Sequence, residues 1–377
     1  MLNRRTLRIK IMQSLFAYEQ CREADYLLAV DHIEEVFQPD LNSMEVQDKG
    51  LLKSQRTIAV KHYEKLYKGQ TVKEIDDPRV VKVVGEAVAL QKKLSKKDFD
   101  FFRKNIVLEV EKINLFYLSV LNLIPAFADA ASQDKKLNAK NFNINPMVIA
   151  LRDNTTLKKE TLRAGGGWDQ KHDIVKGWLR DCLKPDKEFQ QYLALTAPDF
   201  EAHKNFSKHL IRKLILGPTL INSYFEEEDL RWSEDHEIVK SMADKTLKSM
   251  EENSNTVDLQ KLSLDWEEDK DFIGKLFVAA ANLDKEYHEL IANNTKNWEV
   301  DRLPLTDRII LQMAIAELIN FPSIPIKVTI NEYIELAKQY STPKSRQFVN
   351  GILDVIAKEL KDSGKIKKSG RGLMDNK

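Results

Sequence analysis

Apolar residues recur at helical rather than alternating spacing along most of the chain. In residues 4–20, Leu7, Ile11, Leu15 and Tyr18 fall on one stripe of an amphipathic helix. Arg4, Arg5 and Arg8 occupy its first two turns. Arg4 and Arg8 lie on the side of Leu15, so the basic end is expected to protrude beyond the core or line a groove at its edge. The pattern continues to about residue 37 and breaks at Gln38-Pro39-Asp40. Further helices are predicted at 45–67, 79–94 and 98–124, with Pro78 and Pro125 as boundaries because proline does not continue an established helix. Between about 129 and 170 periodicity is lost in a polar, asparagine-rich stretch, which predicts a loop. Helices resume at 171–183, 186–196, 199–225 and 233–251, then at 266–293, 305–320, 326–341 and 343–361. The helix at 305–320 is apolar almost all round, as a central buried helix should be, with Thr306 as its N-cap. The glycine-containing basic tail after residue 361 is predicted to fray.

Composition narrows this to an all-α fold. The 377 residues are 42% apolar and hold only 13 Gly and 11 Pro, which disfavours a turn-rich β-sandwich. With 59 Lys+Arg against 58 Asp+Glu, net charge is +1, so any nucleic-acid surface must be local. Cys21 and Cys182 form neither a CxxC nor a Cys/His metal spacing, which fits a reducing cytoplasm. No apolar run approaches a membrane span, and Lys10, Gln13 and Ser14 interrupt the leader-like start.

Motifs for chemistry are few. Gly165-Gly166-Gly167 lacks the Gly-Lys-Ser/Thr ending of a P-loop and reads as a loop or linker. No histidine stands in a metal-binding spacing, so no metal, cofactor or catalytic residue is expected. The acidic run Glu226–Asp229 reads as a solvated face. Trp232 with Asp235, and Trp298 with Asp301, share a spacing that suggests an echo between two helical hairpins. The arginine-rich first turn is more informative. Guanidinium forks suit phosphates, and cations at a helix start oppose the dipole by about 0.3–1 kcal/mol each, a cost an anionic partner would offset.

Residues 301–354 carry a recognisable text. The helix Arg308-to-Leu318 is followed by Pro325, Lys327-Val328-Thr329-Ile330-Asn331-Glu332, Glu335-Leu336-Ala337-Lys338 and Phe348-Val349-Asn350-Gly351-Ile352-Leu353-Asp354. This closely resembles the C-terminal half of the NusB family of transcription antitermination factors. Arg4-Arg5-Thr6-Leu7-Arg8, with Gln13, Leu15, Phe16 and Tyr18, resembles the family's arginine-rich first helix. The likeness covers about 1–22 and 265–360, so residues 23–264 read as an inserted helical region with a loop near 129–170, and 361–377 as a flexible basic tail.

The resemblance implies an all-helical fold of NusB-like bundles, with additional inserted helices here, and no enzymatic activity. It implies binding of the boxA element of nascent ribosomal RNA together with NusE, a small-subunit ribosomal protein, and the elongating RNA polymerase. By position it makes Arg4, Arg5, Arg8 and Gln13 candidate RNA contacts, with Tyr18 either a contact or core. Phe348 becomes a candidate stacking or packing aromatic, and Asp307 a candidate partner contact. Lys344 stands where the family often carries an acid, which turns that spot towards RNA. Two rivals are a protein-binding scaffold built on residues 40–260, and an RNA cytosine methyltransferase, some of which carry a NusB-like domain. No glycine-rich cofactor loop supports the latter.

Overall fold

The computed structural model describes residues 2–42, 44, 46–252, 256–295 and 303–376. Trp298 and Asp301, half of the spacing echo, lie outside these residues, as do 253–255 in the polar break after the predicted helix 233–251. Among the described residues there are helices and turns and no strand.

The helices run in the order α1 (Arg4–Val36), α2 (Lys49–Tyr67), α3 (Pro78–Gln133), α4 (Lys140–Asn143), α5 (Pro146–Asp153), α6 (Thr155–Ala164), α7 (His172–Trp178), α8 (Lys187–Ala194), α9 (Phe200–His209), α10 (Leu220–Glu228) and α11 (Trp232–Lys248). They continue with α12 (Trp266–Ala281), α13 (Lys285–Asn294), α14 (Leu305–Asn320), α15 (Ile326–Tyr340) and α16 (Ser345–Asp362). After α7 and α9 the helices continue in wider turns, Leu179–Leu183 and Leu210–Ile215. There the amides of Lys184 and Leu216 reach back five residues, to the carbonyls of Leu179 and Ile211 at 2.9 Å each.

The chain divides into two compact units, one of Met1–Thr6 with Leu108–Asp269, the other of Leu7–Val107 with Lys270–Lys377. The first unit has an aromatic-rich core. Trp232 is fully buried, with Phe116 and Phe225 at ring-centroid distances of 5.0 and 4.9 Å, and Phe142 meets Phe206 edge-on at 5.3 Å. Each such side chain contributes about 1.5–3 kcal/mol on burial. In the second unit, Ala29, Ile33, Ala59, Tyr63, Val80 and Ala87 from α1, α2 and α3 form one core cluster. The last three helices, α14, α15 and α16, pack on one another in the same unit. Residues Ile309 to Leu318 of α14 are buried without interruption, as its sequence predicts.

Several expectations need correction. Pro125 does not end a helix: α3 runs from Pro78 through it to Gln133. The two predicted helices merge because Leu121, Leu123 and Ile124 before the proline and Phe127, Ala128 and Ala131 after it are all buried in one core. That burial offsets the roughly 3 kcal/mol an interior proline costs. An 18-residue window of α3 reaches a mean hydropathy of 1.4, enough on composition for a membrane span, contrary to the reading that no stretch approaches one. Because 67% of that window is buried in the protein, its apolarity serves the core.

The asparagine-rich stretch is not a loop either. Asn145 accepts from the Met147 amide at 2.9 Å and Asn154 from the Leu157 amide at 2.8 Å, so these residues start α5 and α6. Gly165 ends α6 at φ +85°, a left-handed position that glycine adopts without steric cost, and Gly166 and Gly167 continue as an irregular loop, as expected. The predicted helix 266–293 is broken at Asn282-Leu283, with Asp284 preceding α13. Pro304 rather than Thr306 precedes α14.

The basic tail is attached to its unit. Ile366 is buried, the Ser369 amide donates to the Pro322 carbonyl at 3.0 Å, and Lys368 Nζ donates to the Phe321 carbonyl at 3.0 Å.

Candidate nucleic-acid interface

Arg8 is inside the protein. Its side chain is 2% exposed, and Nε and Nη2 donate to Oε2 and Oε1 of Glu317 at 2.8 and 2.7 Å. Thr329 and Tyr333 of α15 donate to the same carboxylate at 2.9 and 3.0 Å. Glu317 thus receives four hydrogen bonds, which fills its acceptor capacity. The guanidinium carbon lies 5.5 Å from the Phe272 ring centroid and 5.9 Å from that of Tyr333, and Glu332 Oε2 is 3.8 Å from Nη1.

Burial alone would lower the Arg8 pKa, but hydrogen bonding and charge from Glu317 override it and hold the guanidinium above its ordinary value. The Tyr333 phenol is pushed well up by burial, with Glu317 adding to the shift. The expectation of a protruding basic end therefore fails for Arg8: a buried carboxylate on α14 draws it in. The forked pair to Glu317, with Glu332 beside Nη1, fixes α1 against α14 and α15 and directs the Arg8 donors inward.

The neighbouring arginines differ. Arg4 is half-buried, with Nη2 at 2.7 Å from Glu268 Oε1 and Nε at 3.3 Å from Asp269 Oδ1. Arg5 is exposed. Both belong to the first unit, whereas Arg8, Gln13, Asp307, Lys344 and Phe348 belong to the second. Gln13 is half-buried, and among the described residues its Oε1 is a buried oxygen with no hydrogen-bond partner. Tyr18 is core, meeting Phe99 and Phe102 edge-on at 5.9 and 6.1 Å.

At the start of α16, Lys344, Arg346 and Gln347 are exposed and Phe348 is half-buried. Lys344 precedes the helix and supplies no side-chain cap. The Ser345 amide donates to the Thr342 carbonyl at 2.9 Å, which leaves the Arg346 and Gln347 amides to face an anion beside two cations, an arrangement that suits phosphate.

Asp307 lies beneath this turn at 2% exposure and accepts from the Ser345 hydroxyl at 2.7 Å. The Ser341 and Thr342 hydroxyls meet Ser345 Oγ at 3.0 and 2.8 Å. Ser345 spends its single proton on Asp307, so the other two donate to it. Asp307, expected at a partner contact, therefore acts inside its own unit as the anchor of the α16 turn. Asp307 and Lys344 are brought together in this way, through Ser345.

Sequence reasoning did not single out Glu317, Tyr333 or Ser345. The available signal was Glu317 itself, an acid inside an otherwise apolar helix, because such a carboxylate is retained only with a paired, hydrogen-bonded partner.

Residues 233–358 match the model of the NusB family. The chain is 44% identical over 105 residues to the transcription antitermination protein NusB of Salinibacter ruber, covering 28% of this chain and 66% of the relative. It is 39% identical over 140 residues to that of Chloroherpeton thalassium, covering 37% and 63%. It is 42% identical over 103 residues to that of Koribacter versatilis, covering 27% and 70%. The chain thus spans about two thirds of the length of these curated relatives, and most of its own residues lie outside the matched segments. No solved structure matches it.

Proposed function

The chain belongs to the NusB family, and from that premise we propose that it is a cytoplasmic transcription antitermination factor that grips single-stranded RNA of the boxA type. The RNA is held together with NusE and presented to the elongating RNA polymerase. The observation that carries this reading is the start of α16. There an uncapped helix turn is flanked by exposed Lys344 and Arg346, with Phe348 one turn on. Lys344 and Arg346 supply phosphate contacts, and the half-buried Phe348 supplies an aromatic ring against which an unstacked base can stack.

In this reading Arg5 is a further RNA ligand. Arg4 is a reserve cation that must leave both Glu268 and Asp269 to contribute. Gln13 brings an amide whose oxygen has no internal partner. Arg8 and Asp307 act through others: Arg8 fixes α1, and Asp307 sets the turn that presents Lys344. Asp307 then influences a protein partner by shaping this surface.

Fluorescence anisotropy with a boxA-type oligoribonucleotide, with and without NusE, tests the proposal. Binding that is strengthened by NusE and weakened by salt is expected. No binding under either condition at low salt would overturn it.

A further inference from the structure

A cavity of about 420 Å³ lies in the second unit where the C-terminal tail passes over α15 and α16. Its volume falls within the range of small-ligand pockets, about 300–1,000 Å³. Ile330, Ile366 and Leu373 contribute an apolar lining, while Lys327, Lys358 and Lys361 stand around it, all three exposed. Asp354 is the one carboxylate in this lining. Helix-dipole complementarity accounts for a lysine in the last turn of α16, but not for Lys327 in the first turn of α15. Cations from opposite ends of two helices converge on one apolar hollow.

The tail is built to close this pocket. Gly372 is buried against Pro322, and a Cβ there would stand 2.0 Å from the Pro322 carbonyl oxygen, a distance no other residue tolerates. Lys365 pairs with Glu286 and lies over the Tyr287 ring at 5.0 Å. The pocket is therefore walled partly by a segment beyond the matched residues 233–358.

We propose that this pocket receives one nucleotide of the bound RNA strand, outside the segment held at the start of α16. A base covers the isoleucine and leucine surface, its phosphate meets Lys358 and Lys361, and Asp354 accepts from an exocyclic amine. An apolar lining with a basic rim and one acceptor matches a nucleotide's flat base, anionic linkage and amino group. Lys344 and Lys361 are separated by about 25 Å along α16 at about 1.5 Å per residue, so the strand reaches the pocket only by extending along the helix.

This inference rests on the RNA-binding reading, and the test separates the two. Full-length protein is titrated with a short boxA-type oligoribonucleotide and with the same sequence extended at both ends by uridines. For Lys358→Ala/Lys361→Ala, affinity for the extended RNA is expected to fall about fivefold and its salt slope by about 1.4, two contacts at about 0.7 each. Affinity for the short RNA stays unchanged. Gly372→Ala, which unseats the tail, produces the same selective loss. Thiouridine in the extension cross-links to residues 354–373.

Equal affinity of wild type and both variants for the extended RNA overturns the pocket while leaving the first site intact. Failure of wild type to bind either RNA overturns both readings.

Discussion

Arg8 Nη2 and Glu317 Oε1 lie 2.7 Å apart in a fully buried, forked ion pair that joins the first turns of α1 to the end of α14. In sequence the two are 309 positions apart. Removing either partner leaves the other buried without its forked ion-pair partner: Glu317 would keep only the Thr329 and Tyr333 hydroxyls, and Arg8 only Glu332 at 3.8 Å. Arg8→Ala is expected to cost about 3–5 kcal/mol of unfolding free energy in urea titrations. Replacing both with apolar residues of similar volume, Arg8→Met with Glu317→Leu, is expected to recover most of that loss. If Arg8→Ala proves as stable as wild type, the pair is not what holds α1.

Exposed Lys344 of the second unit and exposed Arg5 of the first are each expected to behave as a phosphate ligand. Lys344→Ala and Arg5→Ala should each weaken RNA binding with little change in stability and lower the salt slope by about 0.7. Phe348→Leu keeps the apolar packing and loses the ring. A base stacked there would show as about 1–3 kcal/mol of lost affinity, read by anisotropy at fixed salt. Unchanged binding would assign Phe348 to packing alone.

Acid sensitivity of the first unit is expected at His203. This residue is 7% exposed, and its Nδ1 is 2.8 Å from the Tyr192 hydroxyl. Burial holds the imidazole below its ordinary value of 6.5, with Asp199 opposing the shift. Above 6.5 the folded and unfolded chains both carry it neutral, and stability is full. As pH falls from 6.5 towards the folded-state value, the unfolded chain takes up a proton that the folded chain resists, so stability declines. Urea midpoints followed by tryptophan fluorescence should therefore fall below pH 6.5 and flatten in His203→Gln. An identical slope in the variant would place the acid sensitivity elsewhere.

The tail should respond to Gly372. Since a Cβ there collides with the Pro322 carbonyl, Gly372→Ala is expected to release the segment around Lys365 and Lys368. Trypsin should then cut at these lysines faster than in wild type, while the thermal midpoint hardly moves.

The sequence by itself determined the helical class, the existence of most helices and the family likeness, because helical periodicity and the residues of α14 to α16 are local text. Tyr18 read as core or contact, and the apolar helix at 305–320 read as central; both are settled by which faces are apolar. Only the tertiary structure decided that α3 continues through Pro125, because burial on both sides of a proline is not written in its neighbours. It also decided that Asn145 and Asn154 start helices, since the same side chains cap helices or make loops according to which amide they meet.

The candidate site divides the same way. Exposure of Lys344 and Arg5 follows from local polarity. Whether Arg8 faces solvent or Glu317 depends on a carboxylate 309 residues away, a relation set by packing. Ion pairing in a buried site is a property of the assembled helices, and no window of sequence contains both charges.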